Sequence, residues 1–70
     1  MSQDVRNLLA KNITAYRVSR SLSREELSLM LGVDNSYVSK LEKGRVNITI
    51  DKITQLAELL DVKVQHLFND

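Results

Sequence analysis

Asn35, Ser36, Ser39, Lys40 and Lys43 share one face of the segment LGVDNSYVSKLEKGR, residues 31–45, when it is wound as a helix. That face carries an amide, hydroxyls and ammonium groups. Glu42 falls toward its edge, and Asp34 is placed to cap the helix, so the face lacks a carboxylate. Such groups suit a polyanion, and in particular the base edges of a B-form major groove. Asparagine pairs bidentately with adenine there, and lysine donates to guanine. The same residue types also make an ordinary solvated helix face, so taken alone the face leaves both readings open.

Other chemistries find less support. The chain has no cysteine and a single histidine, His66, which excludes thiolate metal sites and any histidine cluster for zinc or acid–base catalysis. No metal, cofactor or small-molecule ligand is expected, and the chain does not read as an enzyme. His66 is expected to be a polar residue of the last helix. With Tyr16, Tyr37 and Phe68 as the only aromatics, there is little from which to build a stacking platform for single strands.

The elements that must position the polar face are marked by one device used three times: a capping residue with an apolar residue just before it and another four positions after. Ser23 begins a capping box with Glu26, stapled by Leu22 and Leu27. Asp34 caps the next helix, with Val33 and Val38. Thr49 caps a third, with Ile48 and Ile53. Ahead of these, Val5, Leu9, Ile13 and Tyr16 form a stripe that predicts a first helix over about 5–20. The second runs about 24–31, burying Leu27, Met30 and Leu31, and the third about 35–43. Each ends at a glycine, Gly32 and Gly44. A fourth spans about 50–60 and a short fifth about 64–68, where Lys63 is a poor cap and Val64, Leu67 and Phe68 must supply the packing. The third helix docks through Tyr37, Val38 and Leu41.

This predicts an all-α fold, a compact five-helix domain over residues 1–70. Seventy residues hide only about 60% of the surface of their unfolded chain, so the core is thin and dimerisation would help. No apolar run reaches the roughly 20 residues of a membrane span, no signal peptide opens the chain, and a cytoplasmic, membrane-free protein is expected. The net charge is only +1, yet residues 1–24 set Arg6, Lys11, Arg17, Arg20 and Arg24 against Asp4 alone. Residues 40–45 are again basic. Folding can join the two segments into one patch.

Two capped helices joined by a short turn containing Gly32 form a helix-turn-helix over about 23–43. The stretch SLSREELSLMLGVDNSYVSKLEKGRVNITIDKITQLAELLDVKVQHLF also resembles the Cro and phage-repressor (xenobiotic-response-element, XRE) type of helix-turn-helix domain. EEL, LGV, YVSKLEKG and the IDKI to HLF region carry the likeness. The resemblance implies a lambda-repressor-like fold that binds double-stranded DNA, usually as a homodimer, with the third helix in the major groove.

Carried over by position, Asn35, Ser36 and Lys40 are implied base readers, with Ser39 and Tyr37 beside them at bases or backbone. Ser23 meets a phosphate, and Arg45 and Asn47 grip the backbone farther along, with Lys43 assigned to the backbone as well. Arg24 stands where the family commonly has glutamine and is expected to contact phosphate with altered geometry. Ser28 replaces a usual alanine, and Asp61 a frequent glycine in a left-handed position. Arg17 and Glu42 match a pair that ties the first helix to the end of the third.

The functional expectation is a sequence-specific transcription regulator, acting as a homodimer on a near-palindromic operator, with no second domain. Phage repressor, controller of restriction-modification genes and antitoxin regulating its own operon all fit. Ile50, Leu59, Val64, Leu67 and Phe68 are the candidate dimer interface, to the extent that they face outward. The competing class is a protein-interaction module, including an antitoxin-type partner binder, working through helices four and five.

Overall fold

The computed structural model describes residues 2–70. Among the described residues there are four α-helices, Gln3–Ser19 (α1), Arg24–Leu31 (α2), Tyr37–Glu42 (α3) and Ile50–Leu59 (α4), followed by a 3-10 helix, Val64–Phe68. No strand is present among them. α1 packs against α3 and the closing 3-10 helix, α2 against α3 and α4. Leu9, Ile13, Leu27, Leu31, Val38, Leu41, Leu56, Leu60 and Leu67 lie at the centre of the resulting core.

The caps work largely as the sequence predicts. Ser23 Oγ accepts from Glu26 N at 2.9 Å while Ser23 N donates to Glu26 Oε1 at 2.8 Å, a closed capping box. Thr49 Oγ1 accepts from Lys52 N at 3.2 Å. α1 starts earlier than its apolar stripe indicates, because Ser2 supplies a cap to Val5 N at 3.2 Å. Gly32 takes the left-handed conformation after α2 at φ 76°, and Asp61 takes it after α4 at φ 55°. Ser21, at φ 57°, does the same after α1, where Leu22 N reaches back to Arg17 O.

Four expectations need correction. α3 is shorter than 35–43: Asn35 and Ser36 form a tight turn in which Tyr37 N donates to Asp34 O, and regular helix begins only at Tyr37. Asp34 still serves the start, but by accepting from both the N–H and the hydroxyl of Ser36. Met30 is 44% exposed, and the buried position beside it is Ser28, because the face that α2 turns inward carries Leu27, Ser28 and Leu31. Val5, at the end of its stripe, is exposed. The last element is a 3-10 helix, in which His66 turns back so that Nδ1 accepts from Lys63 N at 3.3 Å. Leu67 is fully buried there, and Asn12 of α1 holds the carbonyls of Leu67 and Asn69 at 2.9 and 2.7 Å.

Candidate nucleic-acid interface

A six-residue helix fixes too few backbone bonds to be stable alone, so α3 is held from outside. Ser28, buried in α2, does this at the N-terminal end: its Oγ accepts from Val38 N at 3.1 Å, satisfying a first-turn donor that has no partner within α3. Val38 and Leu41 are buried beneath the helix and Tyr37 is half-buried. At the other end Glu42 is clamped by α1. Arg17 Nε meets Glu42 Oε2 at 2.6 Å and Nη2 meets Oε1 at 3.2 Å, while Nη1 donates to Leu22 O at 2.7 Å. The expected Arg17–Glu42 pair is therefore present, bidentate and buried.

With its inner face committed, the segment leaves Asn35 and Lys40 exposed, with Ser36 and Ser39 partly exposed. Ser36 sits at the N-terminal cap of α3 and its hydroxyl donates to Asp34, so what it offers outward is an acceptor. Asp34 is itself exposed, which places one carboxylate at the margin of a face that the sequence reading left without any. Its carboxyl is held below the usual range by the Ser36 hydroxyl, then by the Ser36 N–H, with a smaller contribution from the Lys40 charge. Burial pushes the Tyr37 phenol up, so it remains an O–H donor.

Lys43, Arg45 and Asn47 follow α3 as an exposed basic strip. Ser23 is half-buried, and its backbone N–H is committed to Glu26. Arg24 has a more specific setting than its sequence position predicts: Nε donates to Glu42 Oε1 at 3.1 Å. Folding also brings Arg6 to the strip, where Nη2 donates to Asn47 Oδ1 at 2.9 Å. The basic N-terminal segment is thus split. Arg6 and Arg24 join the region around α3, Arg17 is consumed inside, and Arg20 lies over the Tyr16 ring at 5.3 Å.

The HTH_3 helix-turn-helix family profile matches residues 13–67. This chain belongs to that family. Among family relatives, a hypothetical transcription factor of Neisseria meningitidis serogroup B is 40% identical over 65 residues, covering 93% of this chain. The chain spans 61% of that relative's length. The restriction-modification controller protein C.AhdI of Aeromonas hydrophila superposes with a TM-score of 0.84 at 32% identity, over 90% of this chain and 96% of its own. SinR, described as the master regulator for biofilm formation and crystallised in complex with DNA, superposes with a TM-score of 0.78 at 31% identity. That match covers 87% of this chain and 98% of its own.

Sequence reasoning missed Gln3, and it named Arg6 only within a basic segment and Ser28 only as a substitution, without the contacts they make. Arg6 and Gln3 lie on a helix whose apolar stripe gave them no role, and they act on a loop about 40 residues away. Ser28 stood out only as a departure from the usual alanine, and its use depends on where the first turn of α3 lands. Of the proposed interface residues, Leu67 is corrected: it is fully buried in the core and presents no surface. Phe68 and Leu59 are half-buried, whereas Ile50 is 79% exposed and Val64 38%. No helix is long and apolar enough to cross a membrane among the described residues.

Proposed function

We propose that the protein is a sequence-specific regulator of transcription that binds double-stranded DNA as a homodimer and uses its helix-turn-helix, residues 23–43, to read the major groove. The observation that carries this is the fixing of α3 at both ends, by Ser28 and by Arg17 with Glu42, while Asn35, Ser36, Ser39 and Lys40 keep their outward positions. A recognition element needs that combination, because base edges are read only by side chains held in register. Membership of the HTH_3 family and the likeness to SinR, whose structure contains DNA, support the same reading.

Asn35, Ser36, Ser39 and Lys40 read bases in this scheme. Ser23, Arg24, Tyr37, Lys43, Arg45 and Asn47 hold the sugar-phosphate backbone. Chemistry at the site is recognition alone, without a catalytic step. Ile50 and Val64, with the half-buried Leu59 and Phe68, supply the apolar surface of the dimer, and a two-fold arrangement places half-sites about 34 Å apart on a near-palindrome.

Selection of bound duplexes from a random pool tests all three parts together. The expected result is an enriched near-palindrome whose affinity falls steeply with salt as Lys and Arg release counterions. Failure to enrich any duplex at low salt would refute the reading and favour a protein-interaction module using α4 and the 3-10 helix.

A further inference from the structure

Arg6 and Asn47 meet across 41 positions of sequence, Nη2 of the arginine donating to Oδ1 of the asparagine at 2.9 Å. We propose that Arg6 is a positioning residue of the backbone-binding strip: it orients the Asn47 amide so that its NH2 group faces a DNA phosphate. The proposal rests on the DNA-binding reading above and adds to it a residue of α1 with a defined task.

The orientation follows from donor and acceptor chemistry. A guanidinium has five N–H donors and no acceptor, so the amide beside it must present its oxygen. That leaves Nδ2, with two N–H donors, on the side away from Arg6, on an exposed side chain. Phosphate oxygens only accept. An asparagine free to rotate would spend part of its time offering a carbonyl to the phosphate, which is repulsive. Held by Arg6, it offers donors in every bound encounter.

The rest of the strip fits this task. Residues 43–49 contain Lys43 and Arg45 and no carboxylate. The start of the loop is pinned by the same helix, since Gln3 Nε2 donates to Gly44 O at 3.1 Å and also to Asn7 Oδ1 at 2.8 Å. Gly44 makes that approach possible, because a Cβ there would lie 2.9 Å from Gln3 Nε2 and 2.6 Å from Asn7 Oδ1. Arg6 itself is partly sunk, with Nε buried and without a protein acceptor, so it is no freely waving surface cation.

A double-mutant cycle on binding of the selected duplex tests the role, with Arg6→Met, Asn47→Ala, the double variant and Asn47→Asp, each also followed by thermal melting. Arg6→Met is expected to weaken binding to all duplexes alike, by about tenfold in the wild-type background and about threefold or less when Asn47 is already alanine. Asn47→Asp keeps the acceptor for Arg6 and removes the donors. It should therefore melt at or above the wild-type temperature yet bind more weakly than Asn47→Ala.

Effects of Arg6→Met and Asn47→Ala that simply multiply, or wild-type affinity in Asn47→Asp, would overturn the role. Should Arg6→Met melt below the assay temperature, the Asn47→Asp comparison decides. If the wild-type protein enriches no duplex, the DNA-binding reading falls and this role with it. If it does and the cycle shows no coupling, the role alone falls.

Discussion

Arg24 Nε and Arg17 Nη2 converge on the same oxygen of Glu42, Oε1, at 3.1 and 3.2 Å. The two arginines are not equivalent. The Arg17 and Glu42 side chains are 10% and 6% exposed, that of Arg24 53%. Arg17 already neutralises the carboxylate through two bonds, so Arg24 is steered by Glu42 while its charge remains in excess. Glu42→Ala leaves Arg17 buried without its counter-charge and is expected to cost about 3 kcal/mol in chemical denaturation. Arg24→Ala should cost less than about 1 kcal/mol. Comparable losses in the two variants would contradict this division.

Ser28→Ala removes the acceptor of Val38 N from a fully buried site. A buried donor left without a partner costs about 1 to 3 kcal/mol, and that loss should appear in the denaturation midpoint. The amide of Val38 should also exchange with solvent faster than that of Leu41, reflecting a loosened start of α3. Unchanged stability and exchange would mean that α3 needs no help from α2.

Gly32 and Gly44 are both left-handed, at φ 76° and 70°, but their surroundings differ. Nothing lies within 4 Å of a Cβ built on Gly32, whereas one on Gly44 meets Asn7 and Gln3. Gly32→Ala should carry the conformational penalty alone, about 1 kcal/mol. Gly44→Ala should cost more, by the further loss of the Gln3 contact to its carbonyl, and this difference is readable in thermal melts. Equal costs would show that α1 does not hold the loop.

Glu26 and Asp34 define an acid limb of stability. The Ser23 N–H, then its hydroxyl, lowers the Glu26 carboxyl, as the Ser36 hydroxyl and N–H lower that of Asp34. In the unfolded chain both return to the ordinary carboxylate range, so there the unfolded state binds more protons and stability rises with pH. The contribution is complete above that range and is lost as pH falls through the lowered folded-state values. Glu26→Gln and Asp34→Asn should each flatten the acid limb of a melting-temperature profile, and identical acid limbs in wild type and both variants would argue against these carboxylates as its source.

Variants of Lys40 and Arg45 are expected to separate the proposed reading of bases from the proposed gripping of the backbone. Lys40→Ala is expected to cost about 1 to 3 kcal/mol of DNA affinity and to relax preference at one base position. Arg45→Ala should weaken all sequences alike and reduce the salt slope by about 1. Binding titrations on the selected duplex and single-base variants measure both. Unaltered affinity and preference in both proteins would remove these residues from the interface.

Much of the fold was legible because the chain marks its helix starts with chemistry that acts locally. Ser23 with Glu26, and Thr49 with its two isoleucines, work within a few residues, and short-range hydrogen bonding and apolar spacing decide them. The start of α3 was misread for the converse reason. Asp34 had two hydrogen-bonding solutions, a helical cap or a turn through Ser36, and a buried Ser28 on another helix helps select the second. The outward face at Asn35 and Lys40 survived that shift. The latch from Gln3 and Arg6 did not announce itself, since no periodicity links a first helix to a loop about 40 residues on.

Ser28 receives two segments at once: its carbonyl accepts from Val33 N at 3.1 Å and its hydroxyl from Val38 N at 3.1 Å. One residue thereby gauges the length of the intervening chain. Between Val33 and Val38, Asp34, Ser36 and Tyr37 are tied to the turn and the core while Asn35 points outward, and adding or deleting a single residue there would put the two bonds to Ser28 out of register. The segment proposed to read DNA is therefore tolerant of substitution at its outward side chain, Asn35, and intolerant of any change in its length.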